Sequence, residues 1–121
     1  MERSNFENLQ VYKMSEFLAD NIWNIVTNWD KFARDTIGGQ LVRSCDSIGA
    51  NIAEGTGRKT YADNKRFVYM ARGSLNETKH WPRRAYVRGL LSPEQTELLK
   101  PTMDALGPKL NAYANSIGKK K

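Results

Sequence analysis

Residues 60–88 read TYADNKRFVYMARGSLNETKHWPRRAYVR, and this stretch decides the fold. Thr60 stands where a helix would be capped, with Asp63 three residues on in a capping-box-like position. Gly89 follows the run and stops it. Phe67, Met70, Ala71, Ser74, Thr78, Trp81 and Ala85 recur at helical spacing and form the expected buried face. With about 100° between successive residues, Lys65, Arg72, Lys79 and Arg83 fall within about 40° of one another on the other side. Arg66, His80 and Arg84 lie beside them, and only Glu77 interrupts the cations. Arg58 and Lys59 extend the field ahead of the helix. The stretch therefore predicts a long helix with one side in a core and one cationic side facing out.

On the N-terminal side, a second helix is predicted from about Arg34 to Gly55. Ile37, Leu41, Cys45, Ile48 and Ile52 form its apolar stripe. Ser44, Ser47, Asn51 and Gly55 run beside the stripe and let another backbone come close. Gly55-Thr56-Gly57 is expected to end this helix through a left-handed glycine. A first helix spans about Glu7 to Thr27 and carries two adjoining stripes. One holds Leu9, Tyr12, Ala19, Trp23 and Val26; the other holds Val11, Met14, Leu18, Ile22, Ile25 and Trp29. So wide an apolar face means burial on more than one side, either deep in the bundle or partly against another subunit.

On the C-terminal side, Ser92-Pro93-Glu94-Gln95 opens a fourth helix with a cap, a first-turn proline and an acid at the positive dipole end. Leu99, Met103, Leu106, Leu110, Tyr113 and Ile117 make its stripe. No alternating strand pattern and no Asn-Gly hairpin occurs. The prediction is an all-α, antiparallel, up-down-up-down four-helix bundle, a single domain over residues 1–121 with a mobile basic tail at 118–121. Pro82 inside the third helix removes a bond to the Thr78 carbonyl. Pro101 and Pro108 lead to the expectation that the fourth helix is kinked or split, near Gly107-Pro108.

Charge gives the first indication of a partner. The 121 residues carry a net +6. Residues 1–57 hold 5 basic and 8 acidic side chains, residues 58–88 hold 9 and 2, and residues 89–121 hold 5 and 3. Residues 58–88 thus hold more than the whole net charge. Six of their nine cations are arginine, whose fork binds phosphate through two bonds. Either this is a solvated face or it contacts an acidic polymer, RNA or DNA. No zinc-finger, RNP or KH pattern specifies a base sequence.

Catalytic chemistry finds little support. Glu77-x-x-His80 is half of a di-iron carboxylate motif, and with one histidine in the chain the other half is missing. Neither a metal nor any other cofactor is expected. Cys45, the only cysteine, sits on an apolar stripe and reads as a buried, inert thiol in a reducing compartment. The glycines at 55 and 57 follow no strand and lack the P-loop Lys-Ser/Thr. Asn51 and Glu54 are read as interhelical hydrogen-bonding groups. The chain is expected not to be an enzyme. It has no run of ~18 apolar residues and no secretory pattern at its start, so a cytoplasmic location off the membrane is expected.

The stretch Ser47-Ile48-Gly49-Ala50-Asn51-Ile52-Ala53-Glu54-Gly55-Thr56-Gly57-Arg58 resembles the signature of the four-helix bundle proteins encoded in intervening sequences of bacterial 23S ribosomal RNA genes. Gly73-Ser74-Leu75-Asn76-Glu77-Thr78 resembles that family's second block, and Phe6-Glu7-Asn8-Leu9-Gln10-Val11-Tyr12 its usual opening. The likeness covers about residues 6–118. It implies a bundle that assembles as a homopentamer. It also implies kinship with the accessory variability protein of diversity-generating retroelements, which binds nucleic acid and a reverse transcriptase through a basic outer surface. It brings no catalytic residues; Asn51, Glu54, Gly55 and Arg58 match positions that read as structural. Pro82 departs from the family, which commonly keeps Leu there.

Two expectations for function follow. The first is a non-catalytic, homo-oligomeric nucleic-acid-binding protein using Arg58, Lys59, Lys65, Arg66, Arg72, Lys79, Arg83 and Arg84. The alternative is a scaffold or accessory factor for a nucleic-acid enzyme such as a reverse transcriptase.

Overall fold

The computed structural model describes residues 5–119. Met1–Ser4 and the tail residues Lys120 and Lys121 lie outside them, and with them the end of the tail expected to be mobile. Among the described residues there are four long helices and no strand. A 3-10 turn over Asn5–Asn8 leads into α1, Gln10–Val26. The second helix, α2, is a continuous helical run made of Lys31–Ala33, a π-helical stretch Arg34–Gly38, and Gly39–Thr56. The third, α3, is Tyr61–Val87, and the fourth, α4, is Pro93–Ser116.

The predicted caps are present. Thr60 Oγ1 accepts from the Asp63 amide at 3.1 Å, and Ser92 and Gln95 form a reciprocal capping box at 3.0 and 3.1 Å. Gly89 takes φ +76° just past α3. The second helix starts three residues before Arg34, because the Asp30 carboxylate accepts from the Ala33 amide at 3.0 Å. Its other end differs from expectation. Gly57 stays right-handed at φ −87°, so no left-handed glycine stops α2 there. The fourth helix is not split at Gly107-Pro108; Pro93–Ser116 is one helix through both Pro101 and Pro108.

Each helix packs on the next, and α4 closes the ring against α1. Leu18, Ile22, Leu41, Ile48, Ile52, Leu75, Leu99, Leu106 and Leu110 are fully buried between them. At ~1.5–3 kcal/mol for each large side chain, these are the main favourable term. A polar pair is embedded among them. Thr78 Oγ1 lies 3.2 Å from Ser44 Oγ and 2.7 Å from the Ser74 carbonyl, and Ser44 donates to the Leu41 carbonyl.

The buried side of α3 is Phe67, Val68, Ala71, Leu75, Thr78, Pro82 and Ala85. The face expected from hydrophobicity was turned by about 50° from this. Met70 is 44 % exposed, and Ser74 and Trp81 are only half-buried. The cause is the seam itself. From Val68 it follows the three-four alternation of packed helices, which puts a threonine and a proline in the core and leaves a methionine out.

Candidate nucleic-acid interface

The rotation of α3 changes where its cations stand. Arg72 and Lys79 border the buried seam instead of lying opposite it, with Lys65 half-buried and Arg83 exposed beside them. Lys59, Lys65, Arg72, Lys79, Arg83 and Arg84 form no ion pair among the described residues. They make a row from the start of α3 to its end. Glu77, the one acid on this side, accepts a hydrogen bond from Trp81 Nε1 at 3.2 Å, and His80 stacks edge-on against the same indole.

Arg58 and Arg66 do something else. Arg58 reaches Glu54 at 3.0 Å and Asp63 at 3.5 Å, and Arg66 reaches Asp63 at 2.8 Å. Both guanidinium groups lie over the Phe67 ring, 4.5 and 4.8 Å from its centroid. They clasp the turn between α2 and α3, with their charge partly met by two carboxylates.

The signature residues resolve in the same region. The Asn51 amide donates to the Ser47 carbonyl of its own helix at 2.9 Å, and Glu54 pairs with Arg58, so neither makes the interhelical hydrogen bond expected of it. Gly55 is needed for close approach. A Cβ there would stand 2.6 Å from Asn64 Oδ1 and 3.1 Å from Phe67 Cβ. Gly49 likewise faces α1, where a Cβ would meet Ser15 Oγ at 2.9 Å.

The row of cations opens onto a groove between α3 and α4, of about 420 Å³. Lys79 and Arg83 stand on one bank and Lys100 on the other, with Pro82, Tyr86 and Met103 among the lining. Lys100 Nζ lies 2.7 Å from Asp104, whose carboxyl is held below the usual range by that bond, with Lys79 adding to the effect. Three cations thus face one acid. Sequence reading missed Lys100 and Tyr86. Lys100 directly follows core residue Leu99, which places it at the seam's edge, but no local pattern ties it to Lys79.

The groove between α1 and α2 has the opposite sign. It is lined by Glu16, Asp20 and Asp46, with Cys45 beneath. Burial, aided by the neighbouring Asp20, raises the Asp46 carboxyl above its ordinary value. Burial pushes the Cys45 thiol up to about 12, as an inert core thiol requires. In the ring of contacts the α1/α2 and α3/α4 seams are opposite one another, so the molecule is electrostatically polar.

No group of three or more His, Cys, Asp or Glu that could hold a metal ion occurs among the described residues. Nor is any described helix long and apolar enough to cross a membrane.

A family profile described as 23S rRNA-intervening sequence protein matches residues 7–112. The fold is similar to the crystal structure of a protein of unknown function from the S23 ribosomal protein family of Bacteroides thetaiotaomicron VPI-5482, with TM-score 0.76 and 25 % identity over 88 % of this chain and 99 % of that one. No curated protein matches the chain.

Proposed function

The chain belongs to the 23S rRNA-intervening sequence protein family, and on that premise we propose that it is a non-catalytic, homo-oligomeric nucleic-acid-binding protein whose contact surface is the cationic side of α3. The observation that carries this reading is the row Lys65, Arg72, Lys79 and Arg83, unpaired among the described residues and borne on the seam opposite an acidic one. Such polarity steers a polyanion to one side of the protomer. Phosphate contact without base readout fits a surface of lysine and arginine. In this reading the four helices run up-down-up-down, as the short links at residues 57–60 and 88–92 favour.

Assembly uses the stripe of α1 that holds Tyr12, Ala19 and Trp23. Leu18, Ile22 and Ile25 are buried in the protomer, whereas Trp23 is 58 % exposed and Tyr12 and Ala19 are half-buried. Tyr12 and Ala19 also line the acidic α1/α2 groove, so the surface offered to a second copy is apolar with an acidic edge, and the family resemblance sets the expected number at five. Repeating the cationic row around a ring multiplies weak phosphate contacts through avidity. The accessory-factor reading is favoured by Phe32, 79 % exposed on the lead-in to α2, where a protein partner would cover it.

The test is binding of labelled single-stranded RNA and DNA to wild type and to the double variant Arg72→Glu/Arg83→Glu, with light scattering on both proteins. The expected result is an unchanged oligomer with sharply weakened binding of both polymers. Unchanged binding by an intact oligomer would show that the face is merely solvated. Loss of assembly would show instead that the row meets the acidic seam of a neighbouring copy.

A further inference from the structure

We propose that the α3/α4 groove takes an unpaired nucleotide, its base stacked on Tyr86 and its flanking phosphates held by Lys79 and Arg83; the proposal rests on the nucleic-acid reading above and specifies the strandedness of the ligand. Two features of the groove, taken together, point to this occupant. The first is chemical duality. Its lining is mainly apolar, through Pro82, Met103 and Val87, while cations stand on both banks. A plain phosphate-binding surface has no use for an apolar floor, and a plain hydrophobic groove has no use for three cations around it. A nucleotide has one apolar, aromatic part and one anionic part, and so matches both.

The second feature is Tyr86. The residue is 50 % exposed, lines the groove, and makes no ring contact with another aromatic among the described residues. An aromatic left open beside cations is the stacking platform that single-stranded sites use, tolerant of base identity because every base offers a π-face. In a duplex those faces are already stacked on neighbouring bases, so a paired strand can reach the cations but not the ring. The volume, about 420 Å³, lies in the ~300–1,000 Å³ range of small-molecule sites.

The grooves on either side of α1 lack this combination. That between α1 and α2 is lined by Glu16, Asp20 and Asp46 and repels phosphate. That between α1 and α4, at Val11 and Tyr113, has Lys109 as its one cation. Asp104 does not oppose the proposal, because it is bonded to Lys100 and leaves Lys79 and Arg83 without an acid within ion-pair distance.

The experiment uses the full chain and an oligoribonucleotide carrying one 2-aminopurine, single-stranded or annealed to its complement, at matched salt. The expected result is tighter binding of the single strand, with quenching of the 2-aminopurine as it stacks. Tyr86→Ala is expected to abolish the quenching and weaken single-strand binding about tenfold, leaving duplex binding unchanged. Tyr86→Phe keeps both properties, and circular dichroism of the two variants checks that the exposed substitution leaves the helices intact. Salt-dependent binding of both probes, with equal affinity or with a Tyr86→Ala variant that behaves as wild type, would overturn the groove proposal and leave the general reading standing. Failure of both probes to bind at low salt would overturn both.

Discussion

Gly55 shows how one absent side chain holds two helices together. Its Cα faces Asn64 and Phe67 so closely that a methyl group would overlap the Asn64 amide. Gly55→Ala is expected to destabilise the protein by about 1–3 kcal/mol, the usual cost of overpacking. Gly73 is the control: it is exposed on α3 with nothing within 4 Å of a built Cβ. Gly73→Ala should stabilise by about 0.5–1 kcal/mol, because alanine loses less backbone entropy on folding. Denaturant melts of the pair check both signs. If Gly55→Ala were neutral, the seam between α2 and α3 would be looser than described. Cys45 gives a second test at this scale. Its thiol is raised from an ordinary 9.0 to about 12 by burial, so between those values the unfolded chain has lost a proton that the folded chain keeps. Stability present below pH 9 should therefore fall as pH rises toward 12, by up to about 1.4 kcal/mol per pH unit from this group. Melts of Cys45→Ala should show a shallower alkaline decline than wild type; equal declines would contradict so strong a shift.

At the scale of elements, what was legible depended on how local the cause was. The caps at Thr60 and Ser92 and the stop at Gly89 were readable because each depends on residues within one turn. The second helix's stripe, Ile37 to Ile52, was readable because every member is apolar and buried. The face of α3 was misjudged in part: Phe67, Ala71, Thr78 and Ala85 are buried as expected, but the seam takes Val68, Leu75 and Pro82 in place of Met70, Ser74 and Trp81. The groove was legible only in part, since Lys79 and Arg83 share a helix but Lys100 is brought to them by packing alone. The π-helical stretch at Arg34–Gly38 had no signal beyond its glycine. Gly38 is buried so tightly that a Cβ would meet Val26 Cγ1 at 2.7 Å. Pro82 supplies the element-scale prediction. Helix α3 runs through it, yet the ring cannot donate to the Thr78 carbonyl. Pro82→Leu restores that donor and should stabilise by about 1–3 kcal/mol, read as a rise in Tm. A fall in Tm would mean that the proline sets the course of the last turn and of the link after it, where Ala85 and Leu91 enter the core.

At the scale of the whole molecule, two surfaces divide the work in this account: an apolar strip on α1 for assembly and a cationic seam on the far side for nucleic acid. Trp23→Glu is expected to shift the protein from oligomer to monomer in light scattering at tens of micromolar, a concentration at which even a weak complex with a Kd of about 1 μM persists. A wild-type chain already monomeric there would remove the assembly step from the account. The nucleic-acid claim is tested most directly by the salt dependence of binding to a single-stranded oligonucleotide. Each phosphate neutralised adds ~0.7 to the slope of log affinity against log salt, so four contacts from Lys65, Arg72, Lys79 and Arg83 predict about −3 for wild type. The double variant Arg72→Glu/Arg83→Glu should lose two contacts and flatten the slope by about 1.4. A wild-type affinity that does not change between low and high salt, or a variant whose slope equals that of wild type, would contradict the assignment of this face.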